Sequence, residues 1–213
     1  MGIPFEISVA VDAAADEHLA FPQFRDRLRS RYGGHLTPGE AACFASHAVL
    51  WEECAAGDQA MLILEDNLEM RDGLLGTIAA AKAELDAGGA YIRLAATIPR
   101  KFVPVRERAD GAQVVRYLKG PSGSQAYAIS PEGARALLRG ARQWAEPIDD
   151  YLDRFWLHGL APLAIHPLQI TRADIPTTIP RRKRLSGLAL FRRRLVRNWD
   201  GLRRLIYNAS RLA

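Results

Sequence analysis

The sequence has only two cysteines in its 213 residues, and neither belongs to a Cys-x-x-Cys pair. Cys43 and Cys54 lie in one predicted helix, where their separation of about 16 Å is too large for a disulfide. Both are therefore expected to be buried thiols in a reducing compartment. The sequence contains no Cys/His pattern of the usual metal-binding kind, so no metal site is expected at either cysteine.

Long hydrophobic runs are also missing. No apolar stretch approaches the ~20 residues that a membrane-spanning helix requires, and residues 1–6 lack the basic and apolar segments of a signal peptide. The phosphate-loop pattern G-x-x-x-x-G-K-[ST] is absent, which argues against an NTPase. These absences predict a cytoplasmic protein of ordinary globular composition.

Net positive charge is missing outside one end of the chain. Residues 181–213 carry 11 Lys or Arg and one acid, whereas residues 1–180 carry 18 Lys or Arg and 23 acids. The net charge of +5 therefore combines an acidic body with a basic tail. An acidic body has no electrostatic reason to bind nucleic acid. We divide the chain into a domain over 1–180 and a tail over 181–213, and expect no nucleic-acid partner.

Apolar periodicity and helix-terminus signals predict an α/β domain. Thr37, Pro38 and Glu40 form a capping-box pattern for a helix that runs to about Ala56. The apolar run at 60–64 predicts a strand buried on both faces, in the centre of a mostly parallel sheet. Further strands are predicted at 5–11, 91–95 and 125–129, a hairpin around 110–111, and helices at 16–32, 73–86, 131–144 and 147–158.

Three polar residues, Glu65, Asp66 and Asn67, follow the strand predicted at 60–64. Open α/β sheets bind ligands beyond the carboxyl ends of their strands. Carboxylate and amide oxygens suit hard cations such as Mg²⁺ or Mn²⁺, and a bound cation neutralises the charge that develops on a diphosphate leaving group. The alternative interpretation is an acidic loop without a function.

Two other segments carry polar groups in places that favour either chemistry or structure. Glu40 and His47 fall near one face of the predicted helix, where they would hydrogen-bond sugar hydroxyls or serve only as a cap and a buried histidine. Asp149 and Asp150 open another predicted helix. Acids in a first turn are stabilised by the helix dipole whatever their function, and one of them is a candidate general base.

Together these segments resemble glycosyltransferase family 25, the bacterial lipopolysaccharide glycosyltransferases related to collagen galactosyltransferases. Residues 36–47, LTPGEAACFASH, are similar to the family pattern L-x-x-G-E-x-G-C-x-x-S-H. Residues 62–67 are similar to L-I-L-E-D-D, and residues 123–134 to G-x-x-A-Y-x-I-S-x-x-G-A. Residues 147–149 match P-[IV]-D, and residues 5–12 resemble F-E-x-x-x-A-V-D.

The resemblance implies a GT-A-like, Rossmann-like fold and an inverting transfer of a hexose, with galactose as the first candidate. The donor would be a nucleotide-sugar, a UDP-sugar first, and the acceptor a lipopolysaccharide or other cell-surface glycan. Glu65, Asp66 and Asn67 would bind the donor, with Asp66 and Asn67 as ligands of a Mn²⁺ or Mg²⁺ ion.

The resemblance also implies roles for the other polar segments. Asp149, or alternatively Asp150, would be the catalytic base. Glu40, Ser46 and His47 would line the sugar or acceptor site.

Two departures from the family pattern leave an alternative function open. Asn67 stands where the family usually has a second Asp. The family also begins with a strand and a helix, roughly 25 residues by the size of a βαβ unit, ahead of the point where this sequence starts. The alternative is a weak or inactive relative that acts as a membrane-associated binding or accessory protein.

The tail has the pattern of a basic amphipathic helix. Apolar residues recur at spacings of three and four between Leu188 and Ile206, and arginines occupy much of the remaining surface. Such helices lie in anionic membrane interfaces, here the inner membrane beside a glycolipid acceptor. Two alternatives are a helix that docks on its own acidic body and an adaptor in which only the tail matters.

Overall fold

A computed structural model describes residues 4–24, 31, 35–174 and 187–212. The helices are α1 (Pro38–Ala56), α2 (Leu74–Asp86), α3 (Pro131–Gly140), α4 (Ile148–Leu152), α5 (Phe155–His158) and α6 (Gly187–Leu212), with a 3-10 turn at Glu17–Ala20. The strands are β1 (Met61–Leu64), β2 (Leu68–Met70), β3 (Tyr91–Arg93), β4 (Phe102–Glu107), β5 (Gln113–Tyr117), β6 (Ala126–Ile129), β7 (Leu163–His166) and β8 (Ile170–Arg172).

The main sheet has six strands in the order β1-β6-β3-β7-β5-β4, and β2 pairs with β8 in a small second sheet. The predicted α/β class is confirmed. The expectation that the sheet is mostly parallel is wrong for the described strands, because only β3 and β7 pair in parallel. The reason is β6, which lies antiparallel between β1 and β3 and separates two strands that run in the same direction.

Strand β1 lies at an edge of the described sheet, where it pairs with β6. Of its four residues only Ile63 is buried, and Leu64 is 38% exposed. The prediction of a central strand buried on both faces is therefore wrong for this segment. A continuous apolar run does not distinguish a central strand from an edge strand whose outer face is half-covered.

The segment predicted as the first strand is an exposed coil. Residues 4–12 form no strand, and Phe5, Ile7 and Val9 are 79%, 84% and 91% exposed. An alternating pattern forms a strand only where a partner edge is available, and no described strand pairs with this segment. Within it, Val11 alone packs against the core. The helix predicted over 16–32 contributes only the 3-10 turn, and residues 25–30 and 32–34 lie outside the described part.

Helix α1 begins and ends where the sequence predicts, at Pro38 and Ala56. The capping box is complete: the Thr37 hydroxyl accepts from the backbone N–H of Glu40 at 3.3 Å, and the Glu40 carboxylate accepts from the N–H of Thr37 at 2.9 Å. Phe44 on α1 stacks on Trp144 with ring centroids 4.9 Å apart. The capping box therefore fixes the start of the helix, and the apolar face packs the helix against the core.

Each face of the sheet has its own core. Tyr127 and Ile129 of β6 join the cluster formed with α1 and α3, whereas Ala126 and Ala128 join the cluster formed with α2. This is the alternation expected when successive strand residues point to opposite faces. The α1 core brings Tyr127 up against the helix that carries His47.

Helix α6 contacts the body through polar groups. Asn208 donates to the carbonyl of Leu118 at 2.9 Å, the Tyr207 hydroxyl donates to the carbonyl of Gly159 at 2.9 Å, and Asp200 pairs with Arg31. Its large apolar side chains remain exposed, namely Leu188, Leu190, Phe191, Leu195, Trp199, Leu202, Leu205 and Ile206. Among the described helices, none is long and apolar enough to cross a membrane.

Candidate active site

Three side chains from two elements meet where β1 ends beside α1. Their ligand atoms, the Cys43 thiol, the His47 imidazole and the Glu65 carboxylate, all lie within 4.8 Å of one another. We call this group the Cys–His–Glu cluster. Cys43 and His47 are four positions apart on α1 and so face the same way, and Glu65 is the first residue after β1.

Glu65 is held by three neighbouring donors. The Ser124 hydroxyl donates to Oε1 at 2.5 Å, the Asn67 amide donates to Oε2 at 3.3 Å, and His47 Nε2 lies 3.4 Å from Oε1. Burial alone would raise the pKa of this carboxyl, but the bonds from His47 and Ser124 outweigh burial and lower the pKa. Glu65 is therefore a fixed carboxylate at neutral pH.

His47 is oriented by a chain of buried hydrogen bonds. Trp51 Nε1 donates to the Tyr127 hydroxyl at 2.8 Å, and that hydroxyl lies 2.8 Å from His47 Nδ1. Burial raises the pKa of Tyr127 well above its usual value, so the phenol stays protonated. Each donor finds an acceptor when Trp51 donates to the Tyr127 oxygen and the Tyr127 hydroxyl donates to Nδ1. The proton of a neutral imidazole is then on Nε2, facing Glu65.

Asp149, at the start of α4, is held by the loop that contains Ser122 and Gly123. The Ser122 hydroxyl donates to Asp149 Oδ2 at 3.1 Å, and the Ser122 N–H donates to Asp153 at 3.0 Å. The buried Arg93 pairs with Asp153 at 2.8 Å and also donates to the carbonyl of Gly123 at 2.9 Å. Ser122 has φ of +60°, a left-handed conformation that a non-glycine residue holds only where its surroundings stabilise it.

Carboxylates from three separate segments affect the pKa of the Cys43 thiol. Burial raises its pKa to about 12, and the negative charges of Glu65, Asp149 and Glu40 add to the effect in that order. Those three carboxylates, which the sequence places on three different motifs, therefore lie within electrostatic range of one thiol. Cys43 itself is a neutral thiol in this environment.

Of the predicted site residues, the structure brings His47 and Glu65 into contact, and it places Glu40 and Asp149 within electrostatic range of Cys43. Ser46 has a different setting, because its hydroxyl donates to the carbonyl of Ala42 and accepts from the N–H of Val11, each at 2.9 Å. These bonds attach the N-terminal segment to α1. The role predicted for Ser46 at the sugar or acceptor site stays a prediction.

The remaining predicted residues lie next to Glu65 or Asp149 in the sequence. Asp66 is exposed, and Asp150 is half-buried in the first turn of α4. The Oδ1 atom of Asn67 is buried and has no hydrogen-bond partner among the described residues. A buried amide oxygen next to an exposed carboxylate fits the donor set of a hard divalent cation, so Asp66 and Asn67 fit the expected Mn²⁺ or Mg²⁺.

Sequence reasoning missed several members of the site. The expectation that no Cys/His cluster exists is wrong, because Cys43 lies one helical turn from His47. That spacing was visible in the sequence, but the carboxylate that completes the group was not. Ser122, Ser124 and Arg93 had no local signal, since their contacts connect residues 27 to 60 positions apart.

A family model described as glycosyltransferase family 25 (LPS biosynthesis protein) matches residues 1–152. The matched part contains every predicted site residue from Glu40 to Asp150. No curated protein matches the chain.

Proposed function

Since this chain belongs to glycosyltransferase family 25, we propose that it transfers a hexose, with galactose as the first candidate, from a UDP-sugar donor to a glycolipid acceptor. Glycosyltransfer in lipopolysaccharide biosynthesis follows from the family; the donor, the acceptor and inversion at the sugar carbon are the proposal. The observation that supports it is the contact of His47 with Glu65 beside Cys43, within electrostatic range of Asp149 and Glu40.

Asp149 is proposed as the general base. In an inverting transfer the acceptor hydroxyl attacks the anomeric carbon as its proton passes to a carboxylate, and the bond to the diphosphate oxygen breaks with its electron pair on the leaving group. The Ser122 hydroxyl holds Asp149 through Oδ2 at 3.1 Å. A base fixed in this way keeps its orientation toward an incoming hydroxyl. Asp150 is the alternative.

Glu65 and His47 are proposed to hold the donor sugar. A carboxylate that is ionised and oriented by Ser124 and Asn67 is a strong acceptor for sugar hydroxyls. Asp66 and Asn67 would hold the divalent cation, which when bound neutralises charge on the departing diphosphate. Glu40 lies close enough to act on the same space through its charge.

The test is nucleoside diphosphate release by the full chain with a panel of UDP-hexoses and a lipopolysaccharide-core acceptor. Asp149→Asn is expected to lower kcat by roughly 10²- to 10⁴-fold, the range for loss of a general base. Asp110→Asn, in the exposed β4–β5 turn, is the matched control and should keep full activity. Full activity in Asp149→Asn, together with loss in Asp150→Asn, would move the role to Asp150.

A second candidate function is a binding or accessory role without turnover, and Asn67 is the observation that favours it. An amide in place of a carboxylate removes one negative charge from the cation position. This candidate predicts that calorimetry detects UDP-sugar binding while no diphosphate is released. It also predicts that Asn67→Asp gains metal-dependent release.

We further propose that α6 holds the protein on the anionic surface of the inner membrane. The helix turns polar residues inward, with Asp200 and Asn208 buried, and leaves Leu188, Phe191 and Trp199 more than half exposed. An amphipathic helix packed on its own body would normally show the opposite arrangement. Its apolar face together with its arginines suits the boundary between headgroups and acyl chains.

A further inference from the structure

We propose that Cys43, His47 and Glu65 form a binding site for a borderline-soft divalent transition cation, of which Zn²⁺ is the reference. The ligand atoms of the three residues lie within 4.8 Å of one another. This site is separate from the hard-cation position at Asp66 and Asn67, because it uses a thiol and an imidazole where the other uses oxygens alone.

The backbone already sets the ligand spacing. Cys43 and His47 stand one turn apart on α1, a helix of 19 residues with a complete capping box. Glu65 follows β1 directly, and its N–H donates to the carbonyl of Gln125 at 2.8 Å. Bonds of about 2.0–2.3 Å to a tetrahedral Zn²⁺ place ligand atoms roughly 3.3–3.8 Å apart, which small side-chain rotations reach from the observed spacing.

Two of the three ligands, His47 and Glu65, have outer partners of the kind that metal sites use. The Tyr127 hydroxyl occupies His47 Nδ1 at 2.8 Å and directs Nε2 toward Glu65. A cation on Nε2 requires the imidazole proton on Nδ1, so the Tyr127 oxygen then accepts from both His47 Nδ1 and Trp51 Nε1, and the phenol hydrogen no longer points at His47. Ser124 and Asn67 hold the carboxylate. Such outer hydrogen bonds orient metal ligands and raise their basicity.

The donor set determines which cation binds. A thiolate with an imidazole and one carboxylate selects Zn²⁺ or Co²⁺ over Mg²⁺ or Mn²⁺, and three protein ligands leave a fourth position for water. Binding at sulfur releases the thiol proton to solvent, and no oxidation step is involved. Where the proposed function holds, the cation also takes Glu65 and His47 away from the donor sugar, so Zn²⁺ would antagonise transfer.

The test uses the full chain without donor or acceptor, with Co²⁺ as the absorbing probe and Zn²⁺ in calorimetry. We expect one ion per chain and a thiolate-to-Co²⁺ charge-transfer band. Cys43→Ser should lose the band and weaken Zn²⁺ binding at least tenfold. Cys54→Ser is the matched control, because the Cys54 thiol lies against the carbonyls of Gln59 and Ile129, at 3.8 and 3.7 Å, and not in the cluster.

Two further variants separate ligation from folding. Glu65→Gln and His47→Gln keep the side-chain size, and each should weaken Zn²⁺ binding while circular dichroism and the unfolding midpoint report the folded state. The proposal is overturned by the absence of the band in the natural chain, or by equal loss in Cys54→Ser. Since no sugar is present, a failure of glycosyl transfer leaves this result unaffected, and failure here leaves the transfer assay standing.

Discussion

His47 Nε2 lies 3.4 Å from Glu65 Oε1 and so joins the middle of α1 to the end of β1. On the far side of the imidazole, Nδ1 meets the Tyr127 hydroxyl, which also receives Trp51 Nε1. Two neighbouring family motifs are therefore coupled through one ring, and the third, residues 123–134, supplies the tyrosine. The orientation of the site depends on that buried chain.

Removing the Tyr127 hydroxyl should destabilise the protein. Tyr127→Phe leaves Trp51 Nε1 and His47 Nδ1 buried without a partner, which costs about 1–3 kcal/mol. The measurement is urea unfolding. Tyr91→Phe is the control, because the Tyr91 hydroxyl is also buried but takes no part in the Trp51–Tyr127–His47 hydrogen bonds. Equal losses of unfolding free energy in both variants would argue against a stabilising role for the Trp51–Tyr127–His47 hydrogen bonds.

Breaking the Arg93–Asp153 pair should cost more. The Arg93 side chain is only 2% exposed, so Asp153→Asn leaves a buried guanidinium without its counter-charge, a loss of about 3 kcal/mol. Asp86→Asn breaks the exposed Lys82–Asp86 pair and should change stability by only a few tenths of a kcal/mol. Thermal unfolding of both variants checks the difference. Similar shifts of the unfolding temperature in the two variants would contradict the larger contribution expected of the buried Arg93–Asp153 pair.

Acid should weaken the fold through His158. Burial lowers the pKa of this histidine from 6.5 to about 4. Leu160 N–H donates to Nδ1, and Nε2 contacts the carbonyl of Leu152, each at 3.3 Å, which suits the neutral ring. The contribution is complete above pH 6.5 and is lost as pH falls toward 4, because the unfolded chain alone binds the proton in that window.

The loss through His158 should reach about 3 kcal/mol near the lower end of the window. Chemical unfolding at several pH values measures it, and His158→Gln should flatten this part of the profile. His35→Gln, at an exposed position, should keep the slope. A profile that His158→Gln leaves unchanged would assign the acid sensitivity to other groups.

Vesicle binding should depend on the outer face of α6. Trp199→Ser removes an aromatic ring that is 57% exposed, and it should reduce sedimentation with anionic vesicles several-fold. Val105→Ser, at a residue of β4 that is 54% exposed, should have no effect. Raised salt should weaken binding by screening the arginines. Equal binding to zwitterionic vesicles, or equal loss in both variants, would contradict the proposal.

Local signals predicted α1 well. Thr37 and Glu40 lie three positions apart and exchange their bonds within one turn, so the sequence contains all the information that this helix start needs. The β4–β5 hairpin formed around Asp110 and Gly111 for the same reason, with Gly111 at φ of +82°. Short-range rules succeed where both partners belong to one segment.

The sheet did not follow from such rules. All four residues of β6 are buried and three are apolar aliphatic, a composition that suits a parallel strand as well as an antiparallel one. The composition therefore does not predict that β6 runs antiparallel between β1 and β3. Residues 5–11 have the alternation of a strand, yet Val9 is 91% exposed. A strand needs a neighbouring edge, and the availability of an edge is decided by the rest of the fold.

The sequence by itself determined the family, the motifs that supply the site and the amphipathic pattern of the tail. Only the tertiary structure decided that Cys43 joins His47 and Glu65 while Ser46 binds Val11. It also decided that α6 turns Asn208 inward and its apolar face outward. The physical reason is range: these contacts join residues 18 to 90 positions apart, and they form only when α1, the sheet and α6 have packed.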